Sequence, residues 1–227
     1  MGGGENTRMV ALRLSVVILA LLALNASAQD PKRFEKEIAA FTNADKTNPP
    51  PKNAILFIGS STIRKWTTLA QDFPGRKVFN RGFGGSQMSD AIYYFDRIVA
   101  PYQPGLIVLY EGSNDIDDHK TPEQVFNNFK AFVAKVHEQL PQTRLDFISI
   151  LTTPVRAAEV EKVKEANRLI RDYIAHDEKL TYIDAFPAML GPDGKPDAAL
   201  FLSDRLHPNA KGYAIMQTVI APYLDKP

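Results

Sequence analysis

Leu106-Ile107-Val108-Leu109-Tyr110-Glu111-Gly112-Ser113-Asn114-Asp115 joins an unbroken apolar run to a polar, glycine-punctuated turn. A run with no alternation fits a strand covered on both faces, which is the habit of parallel sheets. The same join occurs where Ile55-Leu56-Phe57-Ile58 enters Gly59-Ser60-Ser61-Thr62, and where the shorter Val78-Phe79 enters Asn80-Arg81-Gly82-Phe83-Gly84-Gly85. Two more strands are expected at 145–150 and 181–183. Helical segments separate them: 29–42, about 86–99, 122–140, 157–175, and one that follows Pro208 and ends near Tyr223. In the 122–140 segment Val125, Phe129, Phe132, Val133 and Val136 recur at helical spacing. Strands alternating with long helices predict a parallel sheet with helices on both faces. Ligands of such sheets bind at the carboxyl ends of the strands, so the polar turns should converge there.

Bulk properties narrow the function classes. Arg8 and Arg13 precede an apolar stretch, 14–24, and Ala26-Ser27-Ala28 has the small-x-small pattern of a signal-peptidase site. Residues 1–28 are therefore expected to be an export signal cleaved before Gln29, since a membrane span needs about 20 apolar residues. No stable membrane anchor should remain, and the chain should be periplasmic or secreted. It has no cysteine, which rules out a lipid-modified cysteine and disulfides alike. The remaining residues, about 200, can bury a core large enough to fold without disulfides. The whole chain carries 27 basic and 26 acidic side chains. The leader holds Glu5, Arg8 and Arg13, so its removal leaves an even balance, without the basic excess that nucleic acid would call for. No repeat or composition break interrupts 29–227, which reads as one domain.

Together with Asp204-Arg205-Leu206-His207, the turns Gly59 to Thr62, Asn80 to Gly85 and Gly112 to Asp115 form four blocks that resemble those of the SGNH/GDSL hydrolase family. The resemblance runs from about Ala54 to Tyr213. It implies a flavodoxin-like three-layer α/β/α sandwich with five parallel strands, and a serine, glycine, asparagine and histidine in that order. The family's first block reads Gly-Asp-Ser, whereas here Ser60 holds the middle position. Register therefore favours Ser61 as nucleophile. Gly85 corresponds to the second-block glycine, whose N–H would help the Ser61 N–H hold a developing oxyanion. The Asn114 amide can donate to the same oxygen without changing its charge. His207, with Asp204 three residues before it, can take the serine proton while the carboxylate fixes its tautomer. His119, His137 and His176 need no special role. Arg64 opposes the dipole of the helix start it occupies, which calls for an acidic partner, an anionic substrate group or simple solvation.

Rival chemistries fail on single residues. A dinucleotide loop at Gly82-Phe83-Gly84 would need glycine where Gln87 stands, and a Gly-x-Ser-x-Gly elbow at Ser86 would need it where Met88 stands. A calcium loop from Asp115 would need glycine at Lys120 and an acid at Phe126, so Asp115, Asp117 and Asp118 read as a solvated loop. No metal or organic cofactor is implied. The expected activity is hydrolysis of short-chain, acetyl-type esters, such as O-acetylated sugars or aryl esters, through an acyl-enzyme. Short connections leave no room for a lid over a long acyl chain, and Trp66, Phe83 and Tyr110 are candidates to stack on a sugar. Transfer of the acyl group to a carbohydrate hydroxyl is the alternative within the same chemistry. A catalytically silent carbohydrate-binding protein is the alternative from another class.

Overall fold

The computed structural model of the chain describes residues 30–225. The expected export signal and its cleavage point lie outside the described residues. Residues 34–225 form one compact unit.

Helix α1 (Glu35–Ala44) leads into β1 (Ile55–Gly59), and two single-turn helices, α2 (Ser61–Arg64) and α3 (Leu69–Asp72), precede β2 (Val78–Gly82). Then come α4 (Met88–Tyr93), α5 (Phe95–Ile98), β3 (Leu106–Tyr110), α6 (Ser113–Asp117) and α7 (Pro122–Gln139). Strand β4 (Arg144–Ile148), helix α8 (Val160–Ile174), β5 (Leu180–Ile183) and helix α9 (Ala210–Leu224) complete the order. The five strands pair in parallel in the order β2-β1-β3-β4-β5. This is the doubly wound, flavodoxin-like order, and it reverses direction between β1 and β3.

The apolar runs are continuous because each strand feeds two cores. Leu56, Ile58, Ile107, Leu109 and Phe147 face a layer containing Phe129, Phe132 and Ile170. Phe57, Val108, Ile148 and Ile183 face another with Ile63, Trp66, Met216 and Ile220. Alternate residues of a strand point to opposite faces, so both registers must be apolar.

Element boundaries differ from the sequence reading where side-chain contacts override propensity. The segment expected as one helix over 86–99 is broken at Tyr94, whose φ of −90° and ψ of 4° leave the helix. Its ring is fully buried and packs edge-on to Phe83. The helix expected over 157–175 becomes α-helical at Val160, after a 3-10 segment, Pro154–Glu159. The helix expected over 29–42 is α-helical from Glu35.

Candidate active site

Gly59 ends β1 with φ +156°, and a Cβ there would lie 2.1 Å from the Tyr110 carbonyl oxygen. Only glycine lets β1 end this close to β3. The Ser60 N–H donates to that same carbonyl at 3.3 Å, and Ser60 is buried. Ser61 is the first residue of α2, and its N–H donates to no described residue. Its Oγ lies 2.9 Å from His207 Nε2. The ambiguity between two adjacent serines is thus resolved in space: Ser61, not Ser60, faces the imidazole. Two long-range bonds hold α2 in place, from Asn80 Nδ2 to the Ile63 carbonyl (2.6 Å) and from Tyr213 Oη to the Thr62 carbonyl (2.9 Å).

The imidazole is aimed by its own loop. Arg205 adopts φ +57°, which folds the chain so that Asp204 Oδ1 accepts the Leu206 and His207 N–H groups, each at 3.0 Å. Asp204 Oδ2 lies 2.7 Å from His207 Nδ1. With the carboxylate accepting from Nδ1–H, Nε2 is left as the acceptor for the Ser61 hydroxyl. The His207 backbone N–H is the main cause, with its ring and the Leu206 N–H adding to it, of an Asp204 pKa well below the usual carboxylate range. Lys65 Nζ, 3.8 Å away, adds a cation beside the same carboxylate.

Asn114 is the second residue of α6, which follows β3 after Glu111 and Gly112, so it stands across the topological switch from Ser61. One of its amide hydrogens is donated to the Ser86 carbonyl at 2.8 Å, and the other is left for a ligand oxygen. Gly85 has φ +59° with open space where a side chain would project. It is tied to Asn114 through Ser86, the next residue. Ser61 and Asn114 line a pocket with Ser113, Thr153, Arg156 and Leu206, while Gly85 stays outside its lining. The pocket volume, ≈ 10 Å³, is room for about one water molecule. Arg156 is fixed there by Ser113 Oγ (2.9 Å) and Asp117 Oδ2 (2.6 Å). The sequence reading missed Arg156 and Thr153, which carry no spacing signal and reach the pocket only because β4 lies beside β3.

Two expectations need correction. Trp66, Phe83 and Tyr110 are at most 2% exposed and belong to the core, with no face free for a sugar. Burial pushes the Tyr110 phenol up to about 12. Of the acids after Asn114, Asp117 and Asp118 are exposed as expected, whereas Asp115 is fully buried and paired with Lys120 at 2.7 Å. Asp117 and Asp118 also bond to side chains, those of Arg156 and Gln87. Arg64 pairs with Glu37 at 3.5 Å, and both are partly exposed. Glu37 also accepts the Gly84 N–H at 3.1 Å, so this pair tethers the second-block loop to α1 and α2. Among the described residues no group of three or more His, Asp or Glu is placed to hold a metal ion.

A doubly wound parallel sheet with a serine, an imidazole and a carboxylate in hydrogen-bonded series at its switch point has the architecture of an ester hydrolase. Residues 57–215 match the GDSL-like Lipase/Acylhydrolase family, and the chain belongs to it as a carboxylic ester hydrolase. It is 27% identical over 183 residues to the platelet-activating factor acetylhydrolase IB subunit alpha1 of Pongo abelii, spanning 75% of this chain and 74% of that protein. Its fold is similar to that of a GDSL-like lipase from Bacteroides thetaiotaomicron, with TM-score 0.68 and 21% identity over 86% of this chain and 97% of that one. It is also similar to the fold of an acetyl-xylooligosaccharide esterase from Geobacillus Stearmophilus, with TM-score 0.59 and 13% identity over 78% and 96% of the two chains.

Proposed function

We propose that this chain is an exported serine esterase that removes short, acetyl-type acyl groups, from O-acetylated sugars or aryl esters, through an acyl-enzyme. The observation that carries the reading is the bond series from Ser61 Oγ to His207 Nε2 (2.9 Å) and from His207 Nδ1 to Asp204 Oδ2 (2.7 Å). Ser61 Oγ attacks the ester carbonyl as its proton passes to Nε2, and the imidazolium formed is stabilised by ionised Asp204. The Ser61 N–H, the Gly85 N–H and the free Asn114 amide hydrogen receive the negative charge that builds on the carbonyl oxygen. His207 then returns the proton to the leaving alcohol, and water, deprotonated in turn by His207, releases the acid.

The small pocket beside Ser61, ≈ 10 Å³, supports a small acyl group over a long chain. That two of the similar proteins are named for acetyl esters supports the same choice.

The test is labelling and turnover of the mature protein. A fluorophosphonate probe should attach to Ser61 in the parent and in Ser60→Ala, and not in Ser61→Ala. Ser61→Ala should lower kcat on the order of 10⁶-fold, whereas Ser60→Ala should keep substantial activity. A series of aryl esters should show turnover falling from acetyl to longer acyl chains. A label on Ser60, or a preference for long chains, would refute the respective part of the proposal.

A further inference from the structure

Glu111 is the last residue before the Gly112-Ser113-Asn114 turn, and it is 1% exposed. Among the described residues its carboxyl has one partner, Ser86 Oγ, at 2.5 Å from Oε1, while Oε2 is buried with none. Ser86 Oγ also lies 3.3 Å from the Phe83 carbonyl oxygen. A serine hydroxyl has one hydrogen. If Glu111 were ionised, both neighbours would be acceptors competing for that hydrogen, and one contact would set two oxygens together with none between them. A proton on Oε1 completes the series: Glu111 O–H donates to Ser86 Oγ, and Ser86 O–H donates to the Phe83 carbonyl.

The surrounding charges point the same way. Asp90, Glu111 and Asp115 are all buried, and Lys120 is the cation facing them. Lys120 Nζ is engaged by Asp115 Oδ1 at 2.7 Å, and Asp115 Oδ2 accepts the Met88 N–H at 3.1 Å. Asp90 accepts the Gln87 N–H at 2.9 Å. Glu111 receives no N–H from any described residue. Burial, reinforced by Asp115 and Asp90, pushes its pKa well above the usual carboxylate range. An uncompensated carboxylate in this place would carry a desolvation cost that a neutral acid avoids.

Ser86 sits between the two oxyanion donors that the proposed mechanism uses. Its N-terminal neighbour is Gly85, and its carbonyl accepts from Asn114 Nδ2. We propose that Glu111 is a neutral acid that acts as a positioning residue, holding Ser86 by donating to its hydroxyl and so fixing the Gly85 N–H and the Asn114 amide where the oxyanion forms. A buried carboxylic acid kept protonated so that it can donate has precedent in enzyme active sites. Here the donation is one step removed from substrate and acts through the backbone.

The inference rests on the proposed role of Gly85 and Asn114, and its test separates the two. In Glu111→Gln the amide N–H can replace the acid O–H toward Ser86 Oγ, so kcat should stay within about 5-fold of the parent. In Glu111→Leu the donor is gone, and kcat on an acetyl aryl ester should fall about 100-fold with KM little changed, as expected when oxyanion donors are displaced from the transition state. Thermal unfolding of Glu111→Leu should be at or above that of the parent, because a buried unpartnered oxygen is removed, so the kinetic loss cannot come from misfolding. At neutral pH the infrared difference spectrum between parent and Glu111→Gln should show the loss of one carboxylic acid C=O stretch. Loss of a carboxylate band instead, full kcat in Glu111→Leu, or an equal fall in both variants would overturn the inference. Full activity in Ser61→Ala would overturn the proposed site, and the infrared readout, which needs no turnover, would still decide the state of Glu111.

Discussion

At the residue scale the imidazole of His207 is the part most exposed to test. Protonation of Nε2 removes the acceptor for the Ser61 proton, so kcat/KM should fall as pH is lowered. Asp204 cannot be the group responsible, because its depressed pKa keeps it ionised through that range. His207→Ala should abolish the acid limb together with nearly all activity. Asp204→Asn should lower kcat about 10⁴-fold while retaining a limb, since the imidazole base is still present. Profiles of kcat/KM against pH for the three proteins check this. A limb that survives in His207→Ala would move the base to another residue.

At the scale of elements, the site depends on short helices anchored by long ones. Helix α7 starts with a reciprocal cap, in which Thr121 Oγ1 accepts the Gln124 N–H at 3.3 Å and Gln124 Oε1 accepts the Thr121 N–H at 2.8 Å. Thr121→Ala should cost about 1 kcal/mol of stability, read as a lower urea midpoint with unchanged slope. Phe129 of the same helix contacts the Phe147 ring of β4 at 5.1 Å and the Tyr173 ring of α8 at 6.1 Å. Phe129→Ala should therefore cost about 3–5 kcal/mol, the range for emptying a buried aromatic site. Calorimetry should rank the two substitutions in that order. The helical spacing of α7 could be read from its residues, whereas the break at Tyr94 could not, because no glycine or proline marks it and the cause is the ring packed on Phe83.

For the whole molecule, two carboxyls give stability opposite dependences on pH. Asp204 is held below its unfolded pKa, so its contribution is present above about 3.9 and lost as pH falls toward the folded value. Glu111 is held above its unfolded pKa, so from about 4.3 upward the folded chain binds a proton that the unfolded chain releases, and stability declines as pH rises. Glu111→Gln does not titrate, and its stability relative to the parent should grow between about pH 4 and 7. Urea titrations at several pH values decide it, and a constant difference would show an ionised Glu111. The proposed export is tested at this scale too: N-terminal analysis of the periplasmic or secreted fraction should find a chain beginning at Gln29, and an intact amino terminus would refute cleavage.

The local pattern of residues determined the sheet and the four loops. Burial on both faces writes itself into consecutive positions, as at Leu106–Tyr110, and turns of glycine and polar residues mark where such strands end. Those signals span only a few neighbours. Ser61 meets His207 across 146 residues, and Glu111 meets Ser86 across 25. Which of two adjacent serines faces the imidazole, which acid of three is left without an N–H donor, and how small the pocket beside Arg156 becomes were decided only when the strands lay side by side. Hydrogen-bond geometry and desolvation act between atoms in space, and the order of residues along the chain does not encode them locally.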